Sequence, residues 1–158
     1  METSNINTQK LSDVLSDFIA ETDSIVALLL NKDGTAIASA GSENAIDTTA
    51  MAALIAGMFS ATREVAKMVG EHQFSILLQQ GEKRHIHISL VNEHVMMAVV
   101  FEGFHRIGRI RYESRKACKT IGAALAITDQ TNNNQKVISI PEFKEVALNL
   151  IDSIFTNK

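Results

Sequence analysis

Two histidines, His85 and His87, lie two positions apart in this chain, and that spacing raises the first chemical question. They belong to an alternating run, 84–91, in which Ile86, Ile88 and Leu90 face one way and the histidines with Ser89 the other. Both imidazoles could therefore reach one metal ion, with His94 on a neighbouring strand as a further ligand. A closed metal site needs more donors than that, and no nearby Cys or carboxylate pattern supplies them. Polar residues satisfied at a helix–sheet boundary are the better reading. Cys118 falls on the apolar side of a helical stretch, where an inert thiol outweighs a nucleophile. Asn31-Lys32-Asp33-Gly34 has neither the glycines of a phosphate loop nor the acidic ladder of a calcium loop. Arg63, Arg106, Arg109 and Arg111 could each offer a cation to a phosphoryl-transfer transition state. Arginines near a helix start are also common on surfaces. No nucleophile–base arrangement and no carboxylate pair stands out. These residues give no reason to expect catalysis, a metal or a cofactor.

Bulk properties narrow the classes further. A chain of 158 residues fits one domain with a substantial core. A net charge of −3 with no basic face argues against nucleic acid. One Cys cannot form an internal disulfide. The opening METSNINTQK lacks an apolar signal core, and runs such as Val95–Phe101 are too short to cross a bilayer. The expectation is a cytoplasmic protein without membrane insertion.

The elements follow from periodicity. Residues 1–7 are polar and read as loose. From Thr8 to Thr22, Leu11, Val14, Leu15, Phe18 and Ile19 share a helical face, with Thr8 or Ser4 as cap. Runs 24–31 and 35–40 read as strands joined through Asp33-Gly34, a hairpin signal because both residues tolerate positive φ. Runs 74–79, 84–91 and 94–101 are further strands, several of them apolar on both faces, which implies a sheet covered on both sides. Ile107, Ile110, Ser114, Ala117, Cys118, Ile121 and Leu125 mark another helix. Thr131-Asn132-Asn133-Asn134-Gln135 reads as a polar linker, followed by a helix from Pro141 to Phe155. The order predicts an α/β (α+β) fold in three α-β-α layers around a five-stranded, mainly antiparallel sheet. The long helix covers one face, and the first and last domain helices cover the other.

That long helix, 47–69, carries two distinct sides. Asp47 or Thr48 caps it and Gly70 ends it. Met51, Leu54, Ile55, Met58, Val65 and Val69 suggest an apolar stripe toward the core. Ala53, Ala56, Gly57, Ser60, Glu64 and Lys67 suggest an outward side made largely of small residues, close enough for another backbone to approach. Gly57 costs roughly 1 kcal/mol relative to Ala in a helix interior. The partner on this side could be a second copy of the chain, another protein, or both.

Taken in order, a set of short words resembles the Roadblock/dynein light-chain family, and within it the MglB-type bacterial polarity proteins. The words are Asn31-Lys32-Asp33-Gly34, Ile37, Ser39-Ala40-Gly41, Ile46-Asp47-Thr48-Thr49, Ala56-Gly57 and Ala66-Lys67. Gly70-Glu71 with Phe74, the Val95–Phe101 strand, and Gly108 with Arg111, Lys116 and Ala117 complete it. The resemblance implies a Roadblock-like domain over residues 8–126, with a linker and amphipathic C-terminal helix over 127–158. It implies a homodimer whose sheets join edge to edge at their third strands, leaving two long helices side by side. It further implies a small Ras-like GTPase of MglA type as partner, docked on that helix pair through Ala53, Ala56, Gly57, Ser60, Glu64 and Lys67. GTP hydrolysis is stimulated there by reshaping the GTPase's own site, without an inserted arginine. Arg109 stands where the family pattern is usually apolar. In some members the C-terminal helix also touches the GTPase and promotes nucleotide exchange. Here that role would fall to Leu150, Ile151, Ile154 and Phe155. The alternative within the family is a dimeric scaffold that leaves GTPase rates unchanged.

Overall fold

The computed structural model describes the backbone of residues 2–42, 44 and 46–155, and the side chains of residues 7–42, 44, 46–130 and 149. The element order is α1 (Glu2–Thr22), β1 (Val26–Asn31), β2 (Ala36–Gly41), α2 (Thr48–Met68), β3 (Ile76–Gln80), β4 (Arg84–Leu90), β5 (Val95–Glu102) and α3 (Ile107–Phe155). A 3-10 turn, Phe104–Arg106, leads into α3. The strands form one antiparallel sheet in the order β2-β1-β5-β4-β3, so β2 and β3 are its edges.

Local chemistry explains the junctions. The β1–β2 hairpin closes with Gly34 N–H donating to the Asn31 carbonyl at 3.0 Å, and Gly34 takes φ +93°. The Thr35 N–H donates to Asp33 Oδ1 at 2.8 Å, which holds that carboxyl below its usual range. Asp47 caps α2 by accepting from the Ala50 N–H at 3.0 Å. Gly70, at φ +85°, lets the chain leave the helix.

The sheet pleat divides the core into two layers. Leu28, Leu30, Ile88, Met96 and Ala98 face α2 and pack with Ala52, Ile55, Ala56 and Phe59. Ala27 and Leu29 of β1, with Met97, Val99 and Phe101 of β5, point the other way and are buried with Leu11, Leu15 and Phe18 of α1 and Ile110, Ala117 and Ile121 of α3. Two ion pairs join the end of α1 to the start of the last helical segment: Arg106 to Asp23 at 3.0 Å and Arg109 to Glu21 at 3.3 Å. The three-layer arrangement expected from the element order is the one observed.

Three expectations need correction. Helix α1 begins at Glu2, ahead of Thr8, so the opening residues are helical and Ser4 and Thr8 lie inside the helix. Thr131–Gln135 does not interrupt the last helix, which runs without a break from Ile107 to Phe155 with Pro141 inside it. The stretch 123–140 contains neither Gly nor Pro, and asparagine alone disfavours a helix by only about 0.7 kcal/mol per residue. The chain nonetheless divides into two compact units, Met1–Ala123 and Ala124–Lys158. The third correction concerns the faces of α2.

Candidate functional site

The inward stripe of α2 is Ala52, Ile55, Ala56, Phe59 and Ala66. Ala56 is therefore a core residue, not part of the outward face. The bulky residues expected inside, Leu54, Val65 and Val69, are exposed, and so is Met68. Leu54 is 75% exposed and Met68 86%, values that a helix packed only on its own sheet has no reason to keep. Of the expected stripe, Ile55 is buried, and Met51 and Met58 pack at the margin of the core. The physical reason is spacing. Small alanines on the inner side let the helix sit close on the sheet, with Phe59 filling the remaining volume. Hydrophobicity alone would choose the larger residues for that role.

Ala53, Gly57, Ser60, Glu64 and Lys67 are exposed, as the sequence suggests. Gly57 lies at the centre of this face, and a Cβ there would meet nothing within 4 Å. Its absent side chain thus makes room for nothing among the described residues of its own chain. Ala53 borders the β1–β2 turn: a Cβ on Gly34 would come within 3.1 Å of the Ala53 Cα. Glu64 and Lys67 pair with each other at 2.8 Å, and the Lys67 ammonium lowers the Glu64 carboxyl below its usual range. The result is a shallow strip of small residues along α2. Leu54, Val65 and Met68 flank it on one side, and Ser60 with the Glu64–Lys67 pair on the other.

A cationic corner adjoins this helix. Lys32 donates to Gln73 Oε1 at 3.1 Å and sits over the Phe59 ring at 5.4 Å. Burial and the nearby Arg63 guanidinium lower its pKa, partly opposed by Glu93. Arg63 is half-buried, and its Nε has no hydrogen-bond partner among the described residues. Arg106 and Arg109 belong to the opposite layer of the sheet and are held by Asp23 and Glu21. Neither shares the α2 surface.

The histidines do not converge on a common centre. His85 packs against Phe101 and Phe104, at ring-centroid distances of 5.3 and 5.4 Å. His87 enters a cleft beneath α3, while the exposed His94 follows the Asn92 turn before β5. Among the described residues, no group of three or more His, Cys, Asp or Glu is placed to hold a metal ion. Cys118 is a half-buried thiol whose pKa is raised by burial. The side chains of Leu150, Ile151, Ile154 and Phe155 lie outside the described residues; their backbone is helical. No helix among the described residues is long and apolar enough to cross a membrane.

This sheet order and the hairpin, cap and turn that frame α2 define a Roadblock-type α+β domain. The Roadblock/LC7 domain family matches residues 10–101, and the chain belongs to that family. Among solved structures it is similar to MglB of Myxococcus xanthus, at 28% identity and a TM-score of 0.70, covering 78% of this chain and 90% of that one. It is also similar to the gliding protein MglB of Thermus thermophilus, at 25% identity and a TM-score of 0.69, covering 75% and 90%. A Roadblock/LC7 domain from Streptomyces avermitilis shares the fold at 20% identity, with a TM-score of 0.64 over 73% and 97% of the two chains. No curated protein matches the chain.

Proposed function

We propose that this protein is a homodimeric regulator of a small Ras-like GTPase of MglA type, serving bacterial cell polarity or motility, and that it stimulates GTP hydrolysis. The observation that carries the reading is the outward face of α2, where Gly57 is uncovered and Leu54, Val65 and Met68 stand exposed. Likeness to MglB supports the partner class. The edge strand β3 supports the dimer: it pairs only with β4 among the described residues, leaving its other side as an open row of backbone groups. Ile76 and Leu78 of that strand are partly exposed. Two copies joined there would set their α2 helices on the same face of a continuous sheet.

The mechanism is one of positioning. The dimer binds the GTP form and holds its switch segments in a hydrolysis-competent arrangement. Arg106 and Arg109 are paired on the far side of the sheet, which leaves Arg63, on α2 itself, as the arginine whose replacement by Ala tests for an inserted cation. The C-terminal part of α3, through Leu150, Ile151, Ile154 and Phe155, contacts the same GTPase and promotes exchange. A binding titration with GTP-loaded partner tests the surface. Ser60→Arg should abolish capture while the circular-dichroism spectrum stays that of the parent. Undiminished capture would remove α2 as the docking site. Tight capture with no change in GTP turnover would favour a scaffold.

A further inference from the structure

The cleft beneath α3 is built differently from the α2 surface and has no part in the proposed GTPase docking. It lies between α3 and the β3–β4 end of the sheet, has a volume of about 370 Å³, and includes Ser75 and Ile76, so it adjoins the β3 edge proposed to join two copies. Arg111, Arg115 and Lys119 line it at intervals of four, so successive turns of α3 present a cation to the same side. None of the three joins an ion pair among the described residues, whereas Arg106, Arg109 and Lys116 on the same segment all do. Among the described residues, no carboxylate lines the cleft.

Its inner wall is polar without being satisfied. His87 is 1% exposed, and neither ring nitrogen has a hydrogen-bond partner among the described residues. The Ser114 hydroxyl is equally buried and equally unpartnered. The Ser89 hydroxyl leans toward the Cys118 thiol without reaching hydrogen-bond geometry. Buried polar groups normally find partners, and leaving one unpaired costs roughly 1–3 kcal/mol. Here three such side chains face one opening that is rimmed by three unpaired cations.

We propose that this cleft binds a small phosphorylated molecule, with Ser89, Ser114 and His87 donating to phosphoryl oxygens and Arg111, Arg115 and Lys119 neutralising their charge. The tetrahedral group suits the wall better than a planar carboxylate, because the cations and the Ser114 hydroxyl come from α3 and the His87 and Ser89 side chains from β4; these polar atoms are sealed from solvent in the free protein, so binding opens the wall to reach them. Guanidinium groups can pair two oxygens of such an anion at once, as they can a carboxylate's, so the carboxylate control below decides between them.

The test is a titration of the full-length protein with pyrophosphate at pH 8 and constant ionic strength, followed by NMR. Backbone signals of residues 87–89 and 111–119 should shift saturably, and the imidazole of His87 should titrate at higher pH once the anion is bound. Arg115→Gln with Lys119→Gln, both exposed positions, should weaken binding at least tenfold without loss of folding. His87→Asn should weaken it while leaving those cations in place. Malonate serves as the carboxylate control. Shifts scattered over other basic surfaces, malonate binding as tightly as pyrophosphate, or unchanged affinity in the glutamine variant would each overturn the assignment. These results are independent of any GTPase, so failure here leaves the α2 reading standing.

Discussion

Gly57 is the residue on which the proposed docking surface turns. With nothing among the described residues within 4 Å of the absent Cβ, Gly57→Ala should stabilise the isolated protein by roughly 0.5–1 kcal/mol, read as a higher denaturant midpoint. A residue that gives up helix stability without an internal packing gain is explained by an external one. If the alanine variant is destabilised, something in the fold does use that space. His87 makes a second prediction. Burial, reinforced by the Arg111 guanidinium, lowers its pKa from 6.5 to about 4. The folded state therefore resists protonation that the unfolded chain accepts. This contribution is fully present above about pH 6.5, declines as pH falls toward 4, and is then exhausted. It amounts to on the order of 3 kcal/mol. Equilibrium unfolding should show that slope in the parent and a flatter one in His87→Leu. The charged and titratable groups that share the cleft with it are Arg111, Arg115 and Lys119 of α3 and the thiol of Cys118. An equal slope in both proteins would mean that His87 is hydrated in the fold.

Element by element, the strands and the junctions are the most legible parts of the sequence. Alternation around His85 and His87, the Asp33-Gly34 turn, the Asp47 cap and Gly70 each act within a few residues, so their physics is printed locally. The sides of α2 are not legible in the same way. Which residues face in depends on how closely helix and sheet approach, a property of the packed layer and not of the segment. Hence bulkier neighbours hide Ala52, Ala56 and Ala66, and hydrophobicity points Leu54, Val65 and Val69 toward a core they do not enter. The difference sharpens the functional argument, since it moves apolar area onto the surface. The cations of the cleft are readable from the 111, 115, 119 spacing, but the unpaired state of its wall needs the register of β4 under α3. The course of α3 is obscured because a run of asparagines looks like a stop and lacks one. For that segment, removal of residues 132–158 should reduce nucleotide exchange on the partner more than it reduces stimulated hydrolysis. Equal losses, or none, would deny the tail a separate role.

At the scale of the whole molecule, the outer side of β3 and the outward face of α2 are uncovered among the described residues. The proposed dimer would bury the first and the proposed GTPase the second. Leu78→Lys on β3 should shift the protein from dimer to monomer in sedimentation, because a charge at an edge opposes strand pairing. A parent protein that is already monomeric at working concentration would remove the symmetric platform. The proposed platform acts by its coupling to a nucleotide switch. Single-turnover hydrolysis by the cognate GTPase, with parent or Gly57→Arg protein added in excess, tests it most directly. We predict strong acceleration by the parent and none by the arginine variant, which stays folded because its side chain leaves the surface into open space. Identical acceleration by both proteins, or an intrinsic rate untouched by the parent, would contradict the account.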